Sequence, residues 1–178
     1  MIKRVLIFGS GGMLGSELTE LLSRSGRYKV FGCERKCADI GNFAAVAKVV
    51  RRSKPDFVIN CAATIDVVEC EDRDPLGAWL TNAIGPGNIV RALGQAGLKK
   101  AVFIQVSTSD VFGGLKQKFY KETDLPYPVN NYGWSKLGGE KLVEREAKIT
   151  GIKYFIVRAP WIYSAKKDTF VDMAAKNI

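Results

Sequence analysis

Gly9-Ser10-Gly11-Gly12-Met13-Leu14-Gly15 follows directly on the apolar strand candidate Arg4 to Phe8. Glycine permits backbone angles barred to other residues and lets a chain come close to a diphosphate. Beyond the turn, Leu14, Leu18, Leu21 and Leu22 recur at helical spacing, so Met13 to Ser25 reads as an amphipathic helix. A helix that begins at such a turn offers free N–H groups and a partial positive charge to an anion. Three glycines alone make a plain tight turn. The strand before them and the helix after them favour a phosphate cradle, spaced Gly-x-x-Gly-x-x-Gly with Gly11 in addition.

Outward from this unit the same alternation continues. Strands are expected at Tyr28 to Cys33, Phe57 to Cys61, Ala101 to Val106 and Ile152 to Val157. Helices are expected at Ala44 to Val50, Pro75 to Ala96, Tyr132 to Thr150 and Asp168 to Lys176, and a loop over residues 113–131. The pattern calls for an α/β, Rossmann-type doubly wound parallel sheet, helices on both faces, joined by right-handed crossovers. Val5 to Phe8, Phe57 to Ile59 and Val102 to Val106 lack polar alternation, as strands buried on both faces should.

The 178 residues suit one domain with its own core, read as a single nucleotide-binding unit over 1–178. No apolar stretch approaches membrane-spanning length, and the apolar run after Met1 stops at Gly9 without a cleavage site, which predicts a cytoplasmic protein. Cys33, Cys37, Cys61 and Cys70 form no Cys-x-x-Cys pair and there is no histidine. Incidental thiols in a reducing compartment are expected rather than a metal site, and a Ser-His or Cys-His nucleophile is excluded. Lysine and arginine outnumber the acids by nine, clustering at Arg51-Arg52-Ser53-Lys54, Lys99-Lys100 and Lys166-Lys167. No aromatics interleave with them, so nucleic acid is not expected as a partner.

Tyr132-Gly133-Trp134-Ser135-Lys136 sets a tyrosine and a lysine one helical turn apart. A phenol titrates at about 10 in water, and a nearby ammonium lowers that value by stabilising the phenolate. Such a tyrosine can give a proton to a carbonyl oxygen as hydride arrives, or take one in reverse. Ser107-Thr108-Ser109-Asp110 stands at the carboxyl end of a strand, where parallel sheets hold ligands, and its hydroxyls can orient a carbonyl. After the second strand, Glu34 can accept from an adenine ribose and Arg35 or Lys36 can hold an extra phosphate, so NAD and NADP both remain open; Lys36 reads better as a solvated charge.

These segments together resemble the extended short-chain dehydrogenase/reductases, and more narrowly the dTDP-4-dehydrorhamnose reductase group. The likeness runs through Gly9 to Gly15, Ala38-Asp39-Ile40, Lys54 to Ala63, Asn82 to Asn88, Val106-Ser107-Thr108, Tyr132 to Leu137 and Val157 to Tyr163. It implies Thr108, Tyr132 and Lys136 as catalytic residues. For the cofactor, NADP(H) or NAD(H), it implies Gly9, Gly12, Met13, Leu14, Gly15, Glu34, Arg35, Asp39, Ile40, Cys61, Ala62, Ala63, Asn82 and Ala159, with Tyr132 and Lys136. Asn82 would support the lysine, and Ala159 and Pro160 would lie near the nicotinamide. The implied reaction is reduction of a nucleotide-linked 4-keto-6-deoxy sugar.

Two features depart from that pattern. The reductases carry Thr-Asp-Tyr before Val-Phe, whereas Thr108-Ser109-Asp110 stands here, and an acid at Asp110 is closer to sugar-nucleotide dehydratases and epimerases. The chain also ends at Ile178, while family members continue through segments that build the sugar-nucleotide pocket. The expectation is therefore a cofactor half with most of the substrate half absent, its open side covered by a second copy or a partner chain. A non-catalytic, NADP-binding regulatory subunit is the alternative from another class.

Overall fold

The computed structural model describes residues 2–116 and 119–164 of the chain. Five strands form one parallel sheet: β1 (Lys3–Phe8), β2 (Tyr28–Cys33), β3 (Phe57–Asn60), β4 (Val102–Thr108) and β5 (Lys153–Ala159), in the order β2-β1-β3-β4-β5. The helices are α1 (Met13–Arg24), α2 (Phe43–Ser53), α3 (Pro75–Trp79), α4 (Gly85–Gln95) and α5 (Asn131–Thr150). The doubly wound class is as expected, and the expected helix at Asp168 to Lys176 lies outside the described residues.

Strand order fixes where the helices go. From β1 the chain steps one way to β2, then back past β1 to β3 and onward to β4 and β5. Right-handed crossovers therefore place α1 on one face and α2, α4 and α5 on the other. On the three-helix face Leu6, Phe8, Val58 and Phe103 meet Val46, Val50, Ile89, Leu93 and Val143 in the main core. On the α1 face Val5 and Ile7 are buried, but Phe155 and Val157, in register with Ile104 and Val106, are 63% and 47% exposed. Burial on both faces thus holds for β1, whereas the α1-face residues of β3 (Phe57, Ile59) and of β4 (Val102, Ile104, Val106) are only half-buried and those of β5 are exposed.

Four elements differ from their expected form. The helix expected from Pro75 to Ala96 is interrupted by a π-helical turn, Leu80–Ile84, and a second π turn, Glu69–Arg73, precedes it. Strands β4 and β5 run two residues further than expected, so Ser107 and Thr108 belong to the strand. Helix α5 starts at Asn131, capped by Asn130, whose side chain accepts from the Gly133 N–H at 2.8 Å.

Candidate functional site

Sheet order reverses at β1, between β2 and β3, and the carboxyl ends of these strands open into a crevice of the kind that binds ligands in open α/β sheets. The turn after β1 is pinned there by Gly9 N–H donating to Cys33 O at 2.8 Å, and Cys61 N–H donating to Phe8 O at 2.9 Å. Gly9 has φ +73°, and a Cβ on it would stand 2.5 Å from Ala62 N, so only glycine lets the β1 and β3 ends approach this closely. Gly15 is buried against the same turn; a Cβ there would lie on the Gly9 carbonyl oxygen. Helix α1 begins after the N-cap residue Gly12, with no side-chain cap and no acid in its first turn. Its leading N–H groups are left for an outside anion.

Two adjoining cavities of about 320 and 420 Å³ share Gly12, Cys61 and Ala63. The first takes in Gly9, Gly12, Glu34, Arg35, Asp39, Ile40 and Ala62. The second takes in Met13, Leu14, Thr108, Tyr132, Lys136 and Ala159, with Asp110 and Pro160. The structure thus gathers the residues expected from sequence along one groove, apart from two. Gly15 lies beneath the turn. Asn82, in the π turn, lines neither cavity: its side chain accepts from Thr64 N–H at 2.9 Å and donates to Thr64 O at 2.8 Å and to Ser135 Oγ at 3.0 Å. Ser135 in turn donates to the Tyr132 carbonyl at 2.8 Å. Asn82 therefore ties the β3 end to α5 and makes no direct bond to Lys136; an extra residue in its helical turn aims it at the Thr64 backbone.

Polar side chains lock the strand ends. Asn60 Nδ2 donates to Gln105 Oε1 at 2.9 Å, and Gln105 Nε2 donates to Val106 O at 2.9 Å. Lys136 Nζ donates to that same carbonyl at 2.8 Å. One turn further along α5, the fully buried Glu140 accepts from Ser107 Oγ at 2.6 Å and from Arg158 in a fork, Nε at 3.0 Å and Nη2 at 2.7 Å. Helix α5 is thereby bonded to β4 at Val106 and Ser107 and to β5 at Arg158, just before Thr108. At the helix start, Glu71 accepts from both the backbone and side-chain amides of Asn131, next to Tyr132.

The titrations do not follow the expected pairing. Burial holds the Tyr132 phenol above its ordinary value; contact with Thr108 lowers it, and the charges of Asp110 and Cys70 raise it. Burial pushes Lys136 down to about 8, opposed by Glu140 and Cys61. With its ammonium on the Val106 carbonyl, the lysine does not depress the phenol here. Cys61, between the two cavities, is pushed up to about 11 by burial despite Lys136. Burial first, and then the Cys37 thiol, push Cys33 up to about 12.

Thr64, Ile65, Val67 and Thr81 also line the groove and carried no sequence signal, while Trp161 and Ile162, which line it too, lie in the Val157 to Tyr163 segment of the family likeness but were given no role there. Ser135 and Glu140 did carry one: at three and eight residues from Tyr132 they share its helix face.

A glycine turn at the sheet's switch point, with Tyr132 and Lys136 lining the groove beside the β4 end, belongs to a Rossmann-like doubly wound fold. The model of the RmlD substrate binding domain matches residues 3–177, and the chain belongs to that family. The dTDP-4-dehydrorhamnose reductase of Streptomyces griseus is 39% identical over 168 residues, which cover 94% of this chain and 53% of that protein. The Salmonella typhimurium enzyme of the same name is 34% identical, with 93% and 54% covered. The chain spans about half the length of the curated relatives it matches. The crystal structure of the Bacillus anthracis dTDP-4-dehydrorhamnose reductase in complex with NADP superimposes with a TM-score of 0.87 at 36% identity, covering 99% of this chain and 60% of that one. The Thermus thermophilus UDP-glucose 4-epimerase, at 24% identity and a TM-score of 0.77, shares the fold.

Proposed function

We propose that this chain is the cofactor-binding part of an NAD(P)H-dependent reductase acting on a nucleotide-linked 4-keto-6-deoxy sugar, as its dTDP-4-dehydrorhamnose reductase relatives do. The observation that carries the reading is that Thr108, Tyr132, Lys136 and Ala159 share a cavity with Gly12, which also lines the glycine-turn cavity. The uncapped start of α1 and the bare Gly12 surface fit a diphosphate, and Glu34, Arg35, Asp39 and Ile40 would hold an adenosine end. NADP(H) is favoured by the Bacillus anthracis complex, with NAD(H) the other cofactor this groove admits.

Bound there, the cofactor supplies a hydride. The chain's own residues do the rest. Tyr132 gives its phenolic proton to the carbonyl oxygen as that oxygen gains charge. Thr108 hydrogen-bonds the same oxygen and orients it. Lys136 has its pKa moved close to neutrality, so it can hold the cofactor ribose and return a proton to Tyr132. Val106 and Ala159 wall the cavity with apolar surface.

Among the described residues no helix is long and apolar enough to cross a membrane. The four free thiols fit a cytoplasmic setting. The exposed Phe155 and Val157 on the α1 face suit cover by further chain, a second copy or a partner.

Titration of this chain with NADPH and NADH, and steady-state assay of a chain of the relatives' length with dTDP-4-keto-6-deoxyhexose, test this reading. Cofactor binding and a reduced deoxy sugar are expected. A product with an inverted centre or a lost water, without net oxidation of NADPH, would establish an epimerase or dehydratase; binding without turnover in a chain of the relatives' length would establish a regulatory subunit.

A further inference from the structure

Parallel strands all enter the sheet at one end, so their starts and the ends of the helices before them share a surface opposite the groove. Carried back to the strand starts, the register sets Tyr28, Lys3, Pro55, Lys100 and Gly151 side by side. At the usual strand spacing that row spans roughly 20 Å. Along it Arg27, Lys54, Lys99, Lys100 and Lys153 are exposed, and none forms an ion pair among the described residues. Asp56, within the row, is taken by Lys3 Nζ at 3.2 Å and by the Arg4 N–H at 2.8 Å. Acids gather at the groove end instead, where Asp66, Glu69, Glu71, Asp72 and Asp74 follow β3. The chain's excess of nine positive charges is therefore weighted to the end remote from the groove, where it does nothing for a cofactor. We propose that this end of the sheet is a docking surface for an anionic lipid bilayer. The docking surface goes beyond the reductase reading and does not depend on it.

Helix dipoles account for part of this charge. Arg24, Arg51, Arg52 and Lys148 stand in the last turns of α1, α2 and α5, where a cation is favoured in any protein. Dipoles do not account for Lys3, Lys99, Lys100 and Lys153, which stand at strand starts. Nor do they account for Lys54. It caps α2 in the left-handed region, with φ 43° and ψ 61°, whereas Gly26, Gly97 and Gly151 fill the corresponding turns after α1, α4 and α5. A lysine kept where glycine is easier points to a use for its ammonium. Lipid, rather than another polyanion, follows from the apolar side chains set among the cations. Ile2, next to Lys3, is 63% exposed, and Ile149, next to Lys148, is 69% exposed. At a bilayer, ammonium groups meet headgroup phosphates while aliphatic tips enter the acyl boundary. A nucleic acid would neutralise the lysines and leave both isoleucines in water. Docking by this end turns the groove away from the bilayer, toward solvent.

The test is co-sedimentation of the 178-residue chain with vesicles of phosphatidylcholine, alone or with about a third phosphatidylglycerol, at ~50 and ~300 mM salt. Binding is expected to the anionic vesicles at the lower salt, with little at the higher and none to the neutral vesicles. Lys99→Gln with Lys100→Gln should weaken it roughly 20-fold, about fivefold for each lysine. Lys36→Gln with Lys141→Gln removes the same charge from exposed sites at the groove end and along α5, beyond a Debye length, and should change it less than about twofold. Lys54→Gly, freed of its left-handed strain, should melt roughly 2–4 °C higher and bind about fivefold more weakly, a loss that no folding defect explains. Ile149→Ser should weaken vesicle binding and leave binding to a DNA duplex unchanged. Absence of binding to anionic vesicles at the lower salt, or equal losses in the two lysine pairs, overturns the assignment. A duplex bound more tightly than vesicles, with Ile149→Ser affecting neither, makes the surface a nucleic-acid site and overturns the lipid. Should the Lys99 and Lys100 double variant fail to melt cooperatively, Lys54→Gly decides, and undiminished binding by it overturns the assignment as well. No readout involves the cofactor, so failure here leaves the reductase reading standing.

Discussion

Gly12 and Gly15 lie three residues apart in one turn, and the structure predicts opposite failures for them. Gly12 has φ −72° and ψ 172°, angles open to any residue, and a Cβ on it meets only the Gly9 carbonyl oxygen, at 3.2 Å. The added atoms of Gly12→Val would project into the groove, since Gly12 lines both cavities. The fold should lose about 1 kcal/mol, the usual cost of a poor N-cap, or about 2–4 °C in Tm. A diphosphate at that surface must move or lose contacts; an overpacking cost of about 1–3 kcal/mol weakens cofactor Kd roughly 5- to 150-fold. Gly15→Ala reverses the pattern. Its Cβ would overlap the backbone oxygen of Gly9, a residue whose N–H is tied to the Cys33 carbonyl and whose oxygen accepts from Gly12 N–H. The cost there falls on folding, at least about 3 kcal/mol and a Tm lower by roughly 10 °C. Thermal melts and NADPH fluorescence titrations of both variants form the assay. Undiminished binding by a folded Gly12→Val protein would refute the cradle, and an unshifted melt of Gly15→Ala would refute the packing.

Three further outcomes are expected. Where the chain turns over a 4-keto sugar, Tyr132→Phe should lower kcat about 10²–10⁴-fold with cofactor Kd nearly unchanged; full turnover by the variant would remove Tyr132 from the mechanism. Lys136 has a folded pKa of about 8 against an unfolded value of about 10.5, so the unfolded chain binds more protons between those values and stability should rise with pH there. From pH 7 to 9 the stability gap between Lys136→Met and wild type should shrink by about 1 kcal/mol in urea titrations, and a constant gap would show that the lysine is not buried charged. Glu140→Ala strands Arg158 and Ser107 and should cost about 3–5 kcal/mol, whereas Glu144→Ala, at an exposed pair with Lys141, should cost less than about 1; equal melting shifts would sink the distinction.

The parallel sheet and its glycine turn were legible because both are written in local chemistry: unbroken apolar strands, glycines where Gly9 and Gly15 admit no Cβ, and helices with their own stops. What stayed hidden depends on contacts distant in sequence. Nothing around Leu80 marks a π turn, because its gain is collected 18 residues away, at the Thr64 backbone that Asn82 reaches. Exposure of β5 follows from crossover handedness, which no strand's own residues record. Helix α5 shows the limit most clearly. Its buried face includes Gly133, Ser135, Lys136, Gly139 and Glu140, a polar and small-residue stripe where an apolar one is the usual core signal. Gly139 lets the α5 backbone press on the Asn82 carbonyl, while Lys136 and Glu140 trade hydration for bonds to β4 and β5. The groups that break the hydrophobic pattern are thus the ones that fix Tyr132 against Thr108. A helix anchored through polar bonds is less tolerant of rotation than one resting on greasy contacts, because a turn by one residue would leave Glu140 and Lys136 buried without partners.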